Sequence, residues 1–510
     1  AGVTIAALSG DNGILKRAVE AKEKTNQANK DEEDTLQEMV DAINNVSPSS
    51  EGYVESKKVN SPKVTRGMIP VKWENNNWVV CSQDDSNWYS YDSTKKWANV
   101  MLSDGTYKAD TVKVGQVVEE KDLGSMYVWI PRYAYQIVAD KNIKVTFLKG
   151  NTNEGVDGVT YIEDQTTDTR TTAIVHPAFN LGGTELKGFW MAKFEASGTN
   201  KDGNAVGNAS SSSSAQQYAP DSTTIAKSLP NKISWRHITI GESEKRSMDI
   251  ATTAKTSFGL TSATSHLIKN SEWGAVAYLA QSKYGNNNNE PYINNITLNS
   301  GSAKRTETEG KTGVNSVYAV TGVTTGTTNA GASTKTLDNL TTTGNTANNG
   351  VYTWDQIEGQ KSSSTLNMYG VFDLSGGVWE RMAGYVANGY DQLRAYGSSL
   401  TDSGKRTTST KYVTVYPSND LGITDINTAS KENYGVNTKI YGDGIRETST
   451  AGTGKTSWYT DYSCFPAVGS LFFVRGDDLW NRIGTGLFYF YRDGGASNYR
   501  FDFRPVLVAK

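Results

Sequence analysis

The sequence predicts an α+β fold, and three observations carry that expectation. Gly13 to Val46 is rich in Ala, Glu, Lys and Gln, with Leu36, Met39, Val40 and Ile43 at helical spacing. From Ser125 onward, short apolar-aromatic runs alternate with long loops rich in Gly, Asn, Thr and Ser, the pattern of short strands. Within that stretch Ser265–Gln281 reads as one buried helix, with Trp273, Val276, Ala277 and Ala280 on a shared face and Asn270 or Ser271 as its cap. The chain has 510 residues, enough for two or three domains, and we expect three: residues 1–48, a helix; 49–124, a small β-rich unit; and 125–510, the main domain.

In chain order, Asp31 to Asp34 form a charge run that reads as a solvated helix face, and Ser47 to Glu51, with Pro48, breaks the helix. Met68–Gln83 reads as a hairpin, two apolar-aromatic runs around an Asn-rich turn. Trp73, Trp78, Trp88 and Trp97 are dense for so short a unit and read as a compact aromatic core in preference to a sugar-stacking site. Tyr127–Ile137 and Gly188–Glu195 read as strands. Residues 283–350 and 401–455 are poor in apolar groups and read as long inserts.

Composition excludes several functions. The net charge is −3, so there is no basic footprint for nucleic acid. His176, His237 and His266 are scattered, with no metal-ligand spacing, so we expect no metal site, no cofactor and no catalytic residues. Cys81 and Cys464 are compatible with one disulfide or with two free thiols. No run of about 18 to 20 apolar residues is present.

The terminal stretch, residues 475–508, carries the functional expectation. A frame of Gly476, Gly484, Gly486, Leu487, Phe488, Phe490, Phe503 and Pro505 alternates with clusters of contact-type side chains. Those are Asp477, Asp478, Leu479, Trp480, Asn481, Arg482 and Ile483, then Tyr491, Arg492 and Asp493, then Asn498, Tyr499, Arg500, Phe501 and Asp502. Tyr, Trp and Arg dominate binding hot spots because they bring large contact area with few rotatable bonds. We expect these residues to project to one face, with Trp480, Tyr491, Tyr499 and Phe501 as anchors and the Arg and Asp residues setting charge complementarity.

Two resemblances add to this reading. The segments YVWIPRYAY (127–135), GFWMAKFEAS (188–197), NKISWRHI (231–238), SHLIKNSEWGAVAYLA (265–280), NMYGVFDLSGGVWERM (367–382), Arg475-Gly476 and FRPVLV (503–508) follow one another in an order that resembles the formylglycine-generating-enzyme branch of the C-type lectin fold. Within that branch the end of the chain resembles the variable proteins of diversity-generating retroelements: Arg475-Gly476, Gly486-Leu487-Phe488, Phe490, Gly494 or Gly495, and Phe503 to Leu507 keep their spacing. It departs from them at Asp477, where a second glycine is common. In such systems template adenines are randomised, often in AAC codons; every contact-type residue from Asp478 onward except Trp480 falls in the set those codons reach. Separately, AGVTIAALSGDNGILKRA at the start resembles the stretch that follows the membrane helix of type IV prepilin-like proteins of Gram-positive bacteria.

The resemblances imply a ligand-binding protein at the cell surface whose hypervariable C-terminal face recognises a protein or glycan. The N-terminal helix would tether it to a membrane through a preceding segment, or to pilus or pseudopilus subunits. A fixed-specificity pilin-type adhesion subunit is the alternative. A formylglycine-generating-type oxidase is disfavoured, because that chemistry uses a cysteine pair after the Arg-Gly element and this chain has none there.

Overall fold

The computed structural model describes residues 59–139, 141–207, 218–287, 289, 291–292, 294, 320–324, 352–357, 359–477 and 484–510, together with 21, 22 and 25. It divides into Ala1–Lys58 and Val59–Lys510. In the first unit the described residues, Ala21, Lys22 and Thr25, are helical and exposed. The remainder of the expected N-terminal helix, and most of the 283–350 insert, lie outside the described residues.

The second unit is α+β, built on two large sheets and four longer helices among the described residues. The hairpin at its start forms as expected. Met68–Glu74 pairs antiparallel with Asn77–Val80, and Asn75 and Asn76 make the turn at φ +50° and +59°. Positive φ at both central residues matches the right-handed twist of the strands, and Asn tolerates it better than most residues.

Residues 59–124 do not form a unit of their own. Asn99–Leu102 pairs with both Met68–Glu74 and Met126–Pro131, so the first strands continue into a sheet of eight. Gly188–Ala192, Pro505–Ala509, Ala263–Leu267 and, paired with Asn77–Val80 at the other edge, Val117–Val118 complete it. The expected boundary at 124/125 therefore falls between paired strands. Trp78, Trp88 and Trp97 are buried in the core common to the whole unit, so the aromatic density serves a larger core than its own segment could build.

Two expected elements are each split in two. Tyr127–Ile137 becomes Met126–Pro131 in the eight-stranded sheet and Tyr133–Ala139 in a three-stranded one. Between them Arg132 is buried, its guanidinium bonded to the carbonyls of Thr152 (3.0 Å) and Phe179 (3.1 Å) and to Glu163 (2.8 Å). The helix expected from Ser265 starts at Asn270 and runs to Gln281. The residues before it, Ala263–Leu267, are a strand paired with the chain's last strand. The Lys269 N–H donates to Glu272 Oε2 (2.8 Å), the backward bond of a capping box.

The second sheet runs Thr414–Pro417, Trp379–Ala387, Phe472–Arg475, Phe490–Asp493, Ser463–Cys464 and Thr453–Gly454, with Phe501–Phe503 joining Trp379–Ala387 in parallel. Gly376 and Gly377 turn the chain into Trp379–Ala387 at φ +84° and +72°. A Cβ on Gly377 would stand 2.1 Å from Glu195 Oε1, so the approach requires glycine. The 401–455 stretch is ordered by its own elements, the strand Thr414–Pro417 and the helix Ile426–Val436.

Candidate functional site

The terminal segment enters from the strand Phe472–Arg475. Arg475 is buried over the Trp273 ring and donates to the carbonyls of Asp443 (2.9 Å) and Gly444 (3.1 Å). Gly476 sits at φ +78°, where an added Cβ would come within 3.3 Å of the Trp273 ring. Asp477 then turns inward. It is fully buried, one carboxylate oxygen accepting the Trp379 indole N–H and the other the Thr485 hydroxyl (3.0 Å). Asp478, Leu479, Trp480, Asn481, Arg482 and Ile483 lie outside the described residues.

The chain returns through a buried frame. Leu487 accepts the Trp273 indole N–H at its carbonyl (2.9 Å), and the Phe488 N–H donates to Asp461 (2.9 Å). Phe490–Asp493 then pairs antiparallel with Phe472–Arg475, opposing Tyr491 to Val474. The Tyr491 ring, half-buried, lies in a row of near-parallel aromatics: 5.6 Å from Trp379 at 22° and 6.1 Å from Tyr489 at 14°. Trp379 stacks in turn on Phe501 at 4.9 Å, and Tyr462 flanks Tyr491 at 6.0 Å.

The structure sorts the described contact-type residues into three groups. Asp477, Phe501 and Asp502 are buried and do not project, which corrects the expectation that they set contacts and charge on the face. Phe501 is stacked beneath Trp379, in register with it across the parallel pair. Asp502 lies beside Glu195, and burial together with that neighbouring charge raises its carboxyl well above the ordinary range.

Arg492 and Asp493 are half-buried but committed to partners inside the molecule. Arg492 reaches the helix Ile426–Val436, donating to the Ile426 carbonyl (3.0 Å), Asn427 Oδ1 (3.0 Å) and Ser430 Oγ. Asp493 pairs with the buried Arg381 (2.6 Å) and accepts the Gly495 N–H (2.6 Å). Tyr491, Asn498, Tyr499 and Arg500 are half-buried and present part of their side chains to solvent. Arg500 Nε donates to the Tyr499 hydroxyl (2.8 Å), its guanidinium 5.3 Å from that ring.

Sequence reasoning missed the residues that support this edge from elsewhere in the chain. His237, at φ +58°, donates its backbone N–H to the Asn498 carbonyl (3.0 Å), and Arg236 donates to the Tyr499 carbonyl (3.1 Å). Burial, then the Arg236 charge, lowers the His237 pKa to about 4, so the ring is neutral at physiological pH. Trp379 was legible only as core. Buried, with its ring stacked on that of Tyr491, it is also the floor of the aromatic row.

Cys81 and Cys464 are both free and buried, and burial pushes the Cys464 thiol up to about 11 and Cys81 higher still, so both are protonated at neutral pH. Among the described residues, no group of three His, Cys, Asp or Glu side chains is placed to hold a metal ion, and no helix is long and apolar enough to cross a membrane. The chain matches no protein-family model, and no curated protein gives a significant match.

Proposed function

We propose that this chain is a ligand-binding protein of the C-type lectin class, in the branch of retroelement-diversified variable proteins, and that its terminal segment is the recognition surface. One observation carries the reading. Gly476, Gly484, Gly486, Leu487, Phe488, Phe490, Phe503 and Pro505 of the segment are buried, while Tyr491, Asn498, Tyr499 and Arg500 stand between them part-exposed. A rigid frame that presents aromatic and Arg side chains limits the ordering cost of binding.

The ligand would be a protein or a glycan, met by a shallow aromatic face. Display at the cell surface, by an N-terminal pilin-like helix, belongs to the same proposal. The test is genetic. A near-copy of the codons for residues 475–508 close to the gene, differing from it at template adenines and accompanied by a reverse transcriptase, supports the reading. Its absence leaves the alternative, a fixed-specificity pilin-type adhesion subunit.

A further inference from the structure

Where the strand Phe501–Phe503 docks on Trp379–Ala387, five fully buried side chains meet and their charges do not balance. Four are carboxyls, Glu195, Asp373, Glu380 and Asp502, and the fifth is the Arg504 guanidinium. Arg504 is committed to Glu380 by two hydrogen bonds (2.8 and 2.6 Å). Asp373 accepts the Gly322 N–H (2.7 Å) and the Asn294 amide (2.9 Å). Glu195 lies against Gly377 and accepts the Val378 N–H (3.1 Å) and the Ser234 hydroxyl.

Asp502 is the exception. Its Oδ1 accepts the Phe503 N–H, but its Oδ2 is buried and meets no donor. The side chain stands beside Glu195, on a residue that opposes Glu380 in the parallel pair. The other charged groups on the elements packed here have partners of their own. Lys193 Nζ is held by Asn99 Oδ1 and the carbonyls of Met368 and Gly370, Arg381 by Asp493, and Arg236 donates to the Tyr499 carbonyl. His237, neutral, lies toward the Tyr499 ring. A buried carboxyl oxygen that has a second carboxylate beside it and no donor is satisfied by a proton held between the two, because like charges so close do not both ionise in a dry site.

We propose that Asp502 and Glu195 share a proton, that this proton holds the strand Phe501–Phe503 against Trp379–Ala387, and that alkaline pH opens the contact. The inference rests on the packing of the strand and not on the function proposed above. The proton sits on Asp502 Oδ2 and is donated to Glu195, whose bonds from Val378 and Ser234 suit an ionised acceptor. Burial, then the neighbouring carboxylates, raises both carboxyls well above the ordinary range. Folding therefore tightens the hold on the proton. The contribution to stability is full below the unfolded carboxyl pKa of about 4 and is lost as pH rises through the folded value. Once the proton leaves for solvent, two adjacent carboxylates remain in a dry site, and parting the strands hydrates them.

The test uses the full chain and the variant Asp502→Asn, whose amide N–H replaces the shared proton at every pH. Hydrogen exchange is followed from about pH 6 to 9 and expressed as protection relative to the unstructured chain. In the wild type, protection over residues 501–503 is expected to fall at least about tenfold across that range, while the strand Met68–Glu74 in the other sheet keeps its own. In Asp502→Asn the protection of 501–503 is expected to hold. Infrared spectra at neutral pH are expected to show a protonated-carboxyl band in the wild type that loses intensity in the variant. Glu195→Gln, which removes the other partner of the proton, supplies the same two readings if Asp502→Asn does not fold. Protection that falls alike in wild type and variant, or a protonated-carboxyl band that is absent or unchanged by the substitution, overturns the proposal.

Discussion

Arg504 joins the two sheets. Its guanidinium makes a two-point contact with Glu380 (2.8 and 2.6 Å) in the second sheet and donates to the carbonyl of Ala192 (2.9 Å), in the first. Both charged groups are fully buried. Glu380→Ala should therefore cost about 3–5 kcal/mol in denaturant unfolding, because it strands a buried guanidinium. A second residue-scale prediction concerns Asp443. Burial and the nearby Glu447 charge raise its carboxyl to about 7. Folding thus tightens its hold on the proton: its contribution to stability is full below the unfolded carboxyl pKa of about 4 and is lost as pH rises toward 7. Asp443→Asn should flatten that part of the stability profile, measured by urea unfolding between pH 4 and 8. An unchanged slope would remove Asp443 as its source. Neither role was legible in the sequence, since Glu380 and Arg504 meet across 124 residues.

The elements legible in sequence were those whose partners are close by. The Met68–Gln83 hairpin is set by its own Asn-rich turn, and the helix face of Trp273, Val276, Ala277 and Ala280 by its own period. Ser265–Leu267 was misread because its β partner, Leu507 to Pro505, lies at the far end of the chain, and nothing local separates a short buried strand from the first turn of a buried helix. That helix also packs tightly against a loop: a Cβ on Gly274 would stand 2.1 Å from the Gly442 carbonyl oxygen. Gly274→Ala should force the helix off the 442–443 loop and destabilise the protein by about 1–3 kcal/mol, read as a lower midpoint of thermal or urea unfolding. Arg492 makes a comparable tie between the terminal hairpin and the helix Ile426–Val436. Arg492→Ala should loosen that helix, seen as faster amide exchange over residues 426–436, at a cost of about 1–2 kcal/mol.

At the scale of the whole molecule, residues 59–510 are one compact unit. The sequence suggested a boundary near 124, where composition shifts, but composition does not record that Asn99–Leu102 and Met126–Pro131 pair as neighbours. Residues 125–510 expressed alone should lack a cooperative unfolding transition, since that cut exposes a strand edge and removes Trp78, Trp88 and Trp97 from the core. The terminal segment shows the same division between what spacing reveals and what it hides. Its Gly and aromatic frame was readable from the sequence. The inward turn of Asp477, Phe501 and Asp502 was not, because their residue types suit a binding surface as well as a core. The claim that this segment is a rigid frame carrying open contact positions is tested most directly by saturating residues 475–508 with substitutions and scoring each for folded display on a cell surface. The account predicts broad tolerance at Tyr491, Asn498, Tyr499 and Arg500, and strong intolerance at Arg475, Asp477, Phe488, Phe501 and Asp502. Tolerance at the buried positions equal to that at the half-exposed ones, or intolerance at all of them alike, would contradict it.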